Sequence, residues 1–199
     1  MALVKTVFET TLKGIFAMML DGSKTNAWMA EQIANAIKAY AGSGQASTTD
    51  GGAAPAGVYV GAGAGTMAIN ADDLKSKLKT TFEAAYTNDD LAAHIASDID
   101  DVCKADDTIT TVSAGTVTTP VGATSPFSGP GKGKFTGTKA VIETVLKACF
   151  STMNSMSVGG DDYFAAQFAV AVDSYLKAGK ISVTLQPPFV SGAGEGAMS

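Results

Sequence analysis

The chain is built from one unit repeated three times, and this repetition constrains its fold more than any other feature of the sequence. Each copy opens with a Leu-Lys-x-x-Phe block, continues with an alanine-rich block such as AEQIANAI, and closes with a Gly-x-Gly-x-Gly segment. Because the three blocks recur in the same order about every 67 residues, we predict units spanning residues 1–67, 68–135 and 136–199. The predicted core anchors of the units are Leu12, Phe16, Leu78, Phe82, Leu146 and Phe150.

The first two blocks of each unit predict a pair of amphipathic helices. Apolar residues recur at helical spacing in both blocks, as Phe8, Leu12 and Ile15 do in the first copy. The Gly, Asn and Asp residues between the blocks are typical of a helix end followed by a new helix start. The Thr- and Val-rich residues that follow favour short strands or extended segments. The sequence therefore predicts an α+β fold of three tandem helical-hairpin units, arranged either around a pseudo-threefold axis or in a row.

The three glycine-alternating segments are a separate motif. Their spacing, Gly-x-Gly-x-Gly, differs from the Gly-x-Gly-x-x-Gly fingerprint of dinucleotide-binding loops. Strict alternation has the period of a strand, and a strand with one bare face can press closely against another backbone. We therefore interpret the segments as arms that dock on partner proteins, with flexible linkers as the alternative. The docking residues are Gly61, Gly63, Gly65, Met67, Gly129, Gly131, Gly133, Phe135, Gly192, Gly194, Gly196 and Met198.

Composition argues against several classes of function. The 14 basic residues are all lysines in a chain of net charge −5, which argues against nucleic acid as a partner. The N-terminal residues carry charges every few positions, so we expect no signal peptide, and no apolar stretch is long enough to cross a membrane. The two cysteines, Cys103 and Cys149, are too few for a disulfide framework in 199 residues. We expect a folded, reduced protein without a membrane partner.

No group of residues predicts an active site, a cofactor or a small-molecule substrate. The single histidine, His94, aligns with Gln32 and Gln167 in the other copies, so we expect a polar helix surface there. The acidic residues between Asp98 and Asp107 lack the glycine and the terminal glutamate of an EF-hand, so a solvated helix face is the simpler interpretation and calcium binding stays open. We expect neither catalytic nor metal-binding residues, and no enzyme.

The Ala-, Gly- and Thr-rich sequence, with short TTV segments and Gly-x-Gly motifs, resembles virion structural proteins of tailed bacteriophages. The resemblance implies a place in the virion after synthesis in the host cytoplasm, with other virion proteins as partners in a symmetric assembly. A capsid decoration or minor capsid-associated protein comes first, because a pseudo-threefold chain fits a local threefold axis of a shell. The alternatives are a neck or tail protein (connector or baseplate) and, in another class, a soluble adaptor or chaperone that binds partner segments in helical grooves.

Overall fold

The computed structural model describes residues 3–20 and 22–199, which form three copies of an α-α-β-β unit. The first unit contains α1 (Lys5–Met19), α2 (Asn26–Ser43), β1 (Ala46–Ala54) and β2 (Gly57–Met67). The second contains α3 (Ala71–Glu83), α4 (Asn88–Cys103), β3 (Ile109–Thr118) and β4 (Thr124–Thr136). The third contains α5 (Ala140–Met153), α6 (Gly160–Ala178), β5 (Lys180–Leu185) and β6 (Ser191–Met198). The predicted α+β fold of three helical-hairpin units is confirmed.

Polar side chains fix the starts of three helices. The Thr25 hydroxyl oxygen accepts the backbone N–H of Trp28 at the start of α2, and Thr87 caps Asp90 in the same way at the start of α4. Asn70 accepts two backbone N–H groups at the start of α3. Each cap satisfies donors that have no partner within the helix. These three helices therefore begin at defined residues.

The strands of the described chain form a closed antiparallel barrel in chain order, with β6 paired to β1. The two strands of a unit form a hairpin, and the second of them pairs with the first strand of the next unit. Each strand is hydrogen-bonded to a neighbour on both sides, so the sheet has no free edge for strand addition. This closure places the units in a ring and decides against the row of hairpins that the sequence left open.

The helices form a second ring, which covers one end of the barrel. Helices of neighbouring units pack on each other, α2 on α3, α4 on α5 and α6 on α1. Their inner faces and the adjoining end of the barrel lie in one hydrophobic cluster. Among the core anchors, Leu12, Phe16, Leu78 and Leu146 are buried in this cluster, and Phe82 and Phe150 are half-buried against it. The three units therefore share one core.

The three glycine segments lie in the second strand of each unit, with their bare face towards the barrel interior. In β2 the glycines at 61, 63 and 65 point inward, and the residues between them are exposed. The same alternation holds in β4 up to Phe135 and in β6 up to Met198. A barrel of six strands is too narrow for side chains from every strand, so those of β1, β3 and β5 occupy the space that the glycines leave. Docking on partner proteins through these segments stays a prediction.

Candidate functional site

One end of the molecule carries an exposed apolar side chain from each of the three units. Each second helix leads into the barrel, so the turn between the two helices of a unit lies at the end of the helix ring away from the barrel. Leu20 is 72% exposed in the first turn, Tyr86 is 38% exposed in the second and Val158 is 82% exposed in the third. We call the surface formed by these three residues the turn face.

Hydrogen bonds hold neighbouring turns of this face together. The Asn26 side chain donates to the backbone oxygen of Phe82 at 2.9 Å, which joins units 1 and 2. The Asn88 side chain donates to the Asn154 side chain at 3.3 Å, which joins units 2 and 3. Through these bonds the turn of unit 2 is joined to the turns of units 1 and 3.

A second surface lies on one side of the barrel wall. The exposed residues of β1, β2 and β3 are uncharged, and they include Val60 at 61% and Val112 at 63% exposure. On the opposite side of the wall, β4, β5 and β6 expose Lys132, Lys180 and Glu195. We call the exposed residues of β1, β2 and β3 the uncharged wall. Charged residues are depleted in the central part of protein interfaces, so this side of the barrel is a candidate contact surface.

Two tyrosine–aspartate pairs connect neighbouring units inside the helix ring. The Tyr175 hydroxyl of α6 donates to Asp100 of α4 at 2.8 Å, and the Tyr40 hydroxyl of α2 donates to Asp173 of α6. Asp100 also forms a salt bridge with Lys104 at 2.7 Å. Both hydrogen bonds run from one unit to the unit that precedes it around the ring. They therefore tie unit 3 to both of its neighbours in the ring.

The position of Asp100 corrects one expectation from the sequence. A solvated acidic helix face was expected between Asp98 and Asp107, but Asp100 is only 6% exposed because it faces α6. The third place in the ring has no equivalent pair, since Lys38 and Val102 occupy the aligned positions in units 1 and 2. The boundary between units 1 and 2 carries the Lys75–Glu31 salt bridge at 2.9 Å instead, so it differs chemically from the other two boundaries.

The Tyr175→Phe variant is expected to lower the free energy of unfolding by about 1–2 kcal/mol, because Asp100 stays buried and loses a donor. Burial is the main cause that raises the pKa of Tyr175 above its ordinary value. The hydrogen bond of this neutral hydroxyl therefore stabilises the folded state fully below the ordinary tyrosine pKa of about 10. That stabilisation is lost as pH rises through the raised pKa. Urea unfolding at neutral pH measures the cost. The exposed Tyr86→Phe variant is the control, and an equal loss in both would contradict the role of the pair.

A polar layer crosses the interior of the barrel. Thr48, Asp50, Tyr59, Thr111 and Ser113 are each 5% exposed or less, and we call them the lumen cluster. The Ser113 hydroxyl donates to the Asp50 carboxylate. Burial raises the pKa of the Tyr59 hydroxyl. These residues come from β1, β2 and β3, so the cluster depends on the closure of the barrel.

The residues that the sequence singled out for possible chemistry lie apart from one another. His94 is exposed and stacks on Tyr86, with 4.1 Å between ring centroids. Cys103 and Cys149 are buried free thiols, and burial raises the pKa of Cys103 to about 12 and that of Cys149 to about 11. Neither thiol is a nucleophile near neutral pH, since the thiolate is the reactive form. Within residues 3–20 and 22–199, no group of three or more His, Cys, Asp or Glu side chains is placed to hold a metal ion.

Sequence reasoning missed the lumen cluster, the turn face and the uncharged wall. Thr48 and Asp50 in the first unit align with Thr111 and Ser113 in the second unit. These aligned polar residues, two positions apart in each strand, were the available signal for a shared polar layer. The sequence did not show whether these residues point inward or outward, because a period of two does not say which face of a strand is buried. The turn face had a weaker signal, an isolated apolar residue such as Val158 within a polar turn.

Comparisons of the chain with protein families, with curated proteins and with solved structures found no match. None of the helices in the described part of the chain is both long and apolar enough to span a membrane.

Proposed function

We propose that the chain is a structural protein of a tailed-phage virion, in the first place a capsid decoration or minor capsid-associated protein. The turn face carries this proposal. It offers one exposed apolar side chain from each of three similar units, so a single chain presents three similar contacts around one axis. A local threefold axis of a protein shell presents three copies of one surface in the same arrangement. A single chain on such an axis makes three contacts at the entropic cost of ordering one molecule.

The test is binding to particles of the native source that have been depleted of this protein. We expect a Leu20→Asp, Val158→Asp double variant to bind at least about tenfold more weakly, because truncated and charged anchors lose the apolar contact. The control is Val121→Asp, which adds one negative charge at a valine that is 90% exposed in the turn between β3 and β4, at the opposite end of the molecule. Binding is read by co-sedimentation and quantitative mass spectrometry.

Copy number is the second readout of the same experiment. A fixed ratio to the major shell protein that corresponds to one chain for each local threefold site supports the decoration role. Recovery of the chain only as a free monomer, with no particle-bound fraction, contradicts any virion role. Equal loss of binding in the double variant and in the Val121→Asp control contradicts docking through the turn face.

A neck or tail protein is the second candidate, and the uncharged wall favours it. This wall covers one side of the barrel, from units 1 and 2, and leaves the other side charged. Lateral contact in a ring of subunits joins a patch on one side of each subunit to a different patch on the next subunit, whereas a seat on a threefold axis uses neither side. Under this alternative, Val60→Lys abolishes incorporation, Thr184→Lys on the charged side does not, and the copy number follows the symmetry of the tail.

An adaptor or chaperone is a third candidate, with one observation in its favour. An apolar groove of about 230 Å³ lies between α1 and α2, and its lining includes Val4, Val7, Phe8 and Tyr40. Val7 is 65% exposed at this groove. An amphipathic segment of a partner fits such a groove through spaced apolar anchors. A Val7→Lys variant that loses a soluble partner while it keeps its place in the particle separates this role from the virion role.

A further inference from the structure

The lumen cluster is enclosed by apolar layers on both sides. Towards the helices the barrel is filled by the buried side chains of Met67, Phe135 and Met198, which belong to the main core. Towards the far end, the rings of Phe127 and Phe189 pack edge-on with their centroids 5.1 Å apart, and the Tyr59 ring joins them. The polar oxygens between these layers are therefore sealed from solvent.

Several of these oxygens have no partner within the described protein. Oγ1 of Thr48, Oδ1 of Asp50, the hydroxyl oxygen of Tyr59 and Oγ1 of Thr111 are buried and make no hydrogen bond. Buried polar atoms in native proteins are almost always paired, so four in one place indicate a missing partner. None of the ion pairs in the described part of the chain includes Asp50. A buried carboxylate without a counter-charge is strongly unfavourable.

The bare backbone of the glycine strands lets these oxygens converge. A Cβ atom added to Gly63 would lie 2.6 Å from Oδ2 of Asp50 and 3.4 Å from Oγ of Ser113, and it would overlap Oγ1 of Thr48. A Cβ atom added to Gly131 would lie 2.6 Å from Oγ1 of Thr111. The glycines thus leave room for the hydroxyl and carboxylate oxygens of β1 and β3 to lie against the bare backbone in the barrel interior.

The barrel itself does not require this chemistry. The inward positions of Thr48 and Asp50 in β1 correspond to Thr111 and Ser113 in β3, and to Val183 and Leu185 in β5. The third unit therefore fills the same two layers with apolar side chains and still closes the barrel. A carboxylate at position 50 has to be explained by something other than strand closure.

We propose that the lumen cluster binds one small monovalent cation of the size of sodium. Hard cations take oxygen ligands, and the Asp50 carboxylate with the hydroxyls of Thr48, Thr111 and Ser113 supplies them from two strands. One carboxylate balances one positive charge, which is why the ion is monovalent. Because both ends of the lumen are closed by apolar layers, the ion enters as the barrel forms, and its binding adds to the stability of the folded state.

The test is urea unfolding of the full chain at constant chloride concentration, in sodium chloride and in choline chloride. A ligand that binds only the folded state raises the folding equilibrium constant about tenfold for each tenfold rise in its concentration above the dissociation constant. We expect this dependence with sodium and none with choline. Asp50→Asn removes the charge at constant volume and is expected to abolish the dependence, while the exposed Asp106→Asn control retains it.

Thr111→Val is the second variant, because it places in unit 2 the residue that unit 3 already has at this layer. It keeps the charge of Asp50 and removes one ligand, so we expect the sodium dependence to persist with its midpoint shifted to higher concentration. If Asp50→Asn does not fold, the unfolding measurements on Thr111→Val and on the wild type in sodium and in choline test the proposal. Stability of the wild type that is the same in sodium and in choline overturns the proposal, and so does a dependence on millimolar calcium alone or a sodium dependence that Asp50→Asn retains.

Discussion

The Gly65→Val variant is expected to lose at least about 3 kcal/mol of folding free energy, the upper part of the range for overpacked cores. A Cβ atom on Gly65 would overlap the carbonyl oxygen of Thr110 in the neighbouring strand and would lie 2.7 Å from its carbonyl carbon. These are backbone atoms of a paired strand, so no side-chain rotation relieves the overlap. The barrel would have to widen between β2 and β3, which breaks hydrogen bonds of the sheet. Thermal and urea unfolding measure the loss.

The adjacent residue provides the matched control. Ala64 lies in the same strand and points outward to solvent. Ala64→Val adds the same branched carbon to the outer face, where we expect a change within about 0.5 kcal/mol. A large loss in both variants would mean that β2 does not tolerate valine for reasons of backbone conformation. Little loss in either would show that the inward face of β2 is not packed as described.

Deletion of residues 192–199 is expected to abolish the cooperative fold. This segment makes up most of β6, which pairs with β1 on one side and with β5 on the other. Its removal opens the barrel at two interfaces, exposes two strand edges and takes the side chain of Met198 out of the core. We expect loss of the sigmoidal unfolding transition and rapid proteolysis across the helices as well, because helices and barrel share one core.

Complementation in trans is the control for this deletion. A synthetic peptide of residues 190–199 is expected to restore the circular dichroism spectrum and protease resistance of the truncated chain, since it supplies the missing strand. A peptide in which the three glycines at 192, 194 and 196 are alanines has the same length and charge and is expected to fail. A truncated chain that keeps its full helical signal and a cooperative transition would show that β6 is an addition to the fold and not part of its closure.

Local features of the sequence were sufficient to predict much of this fold. The triplication defined the units, helical spacing around Leu12 and Leu146 defined the hairpins, and strict glycine alternation indicated strands. Closure could not be predicted, because it depends on the meeting of β1 with β6, which are far apart in sequence. The glycine segments were interpreted as arms since their bare face was taken to seek a partner outside the chain, whereas it faces the other strands of the same barrel.

The candidate sites were predictable to a smaller degree. Alignment of the units assigned His94 to a polar surface position, and the structure places it on an exposed helix face. The burial of Asp100 and Asp50 escaped prediction, because each depends on an element from another unit, α6 for the first and β3 for the second. The spacing of apolar residues within one segment does not predict the contacts that its side chains make with another unit. The turn face likewise becomes a surface only when three turns are brought around one axis.

The closed barrel also limits how this architecture can change. A solenoid lengthens by adding repeats, because each repeat contacts only its neighbours. Here a fourth unit would make eight strands, and the wider interior would leave the glycine faces lining an empty space. Duplication or loss of a unit is therefore not a small step, and diversity has to arise by substitution within a fixed number of units. The acidic surface of the second unit and the polar interior of the first two are the differences that such a fixed frame permits.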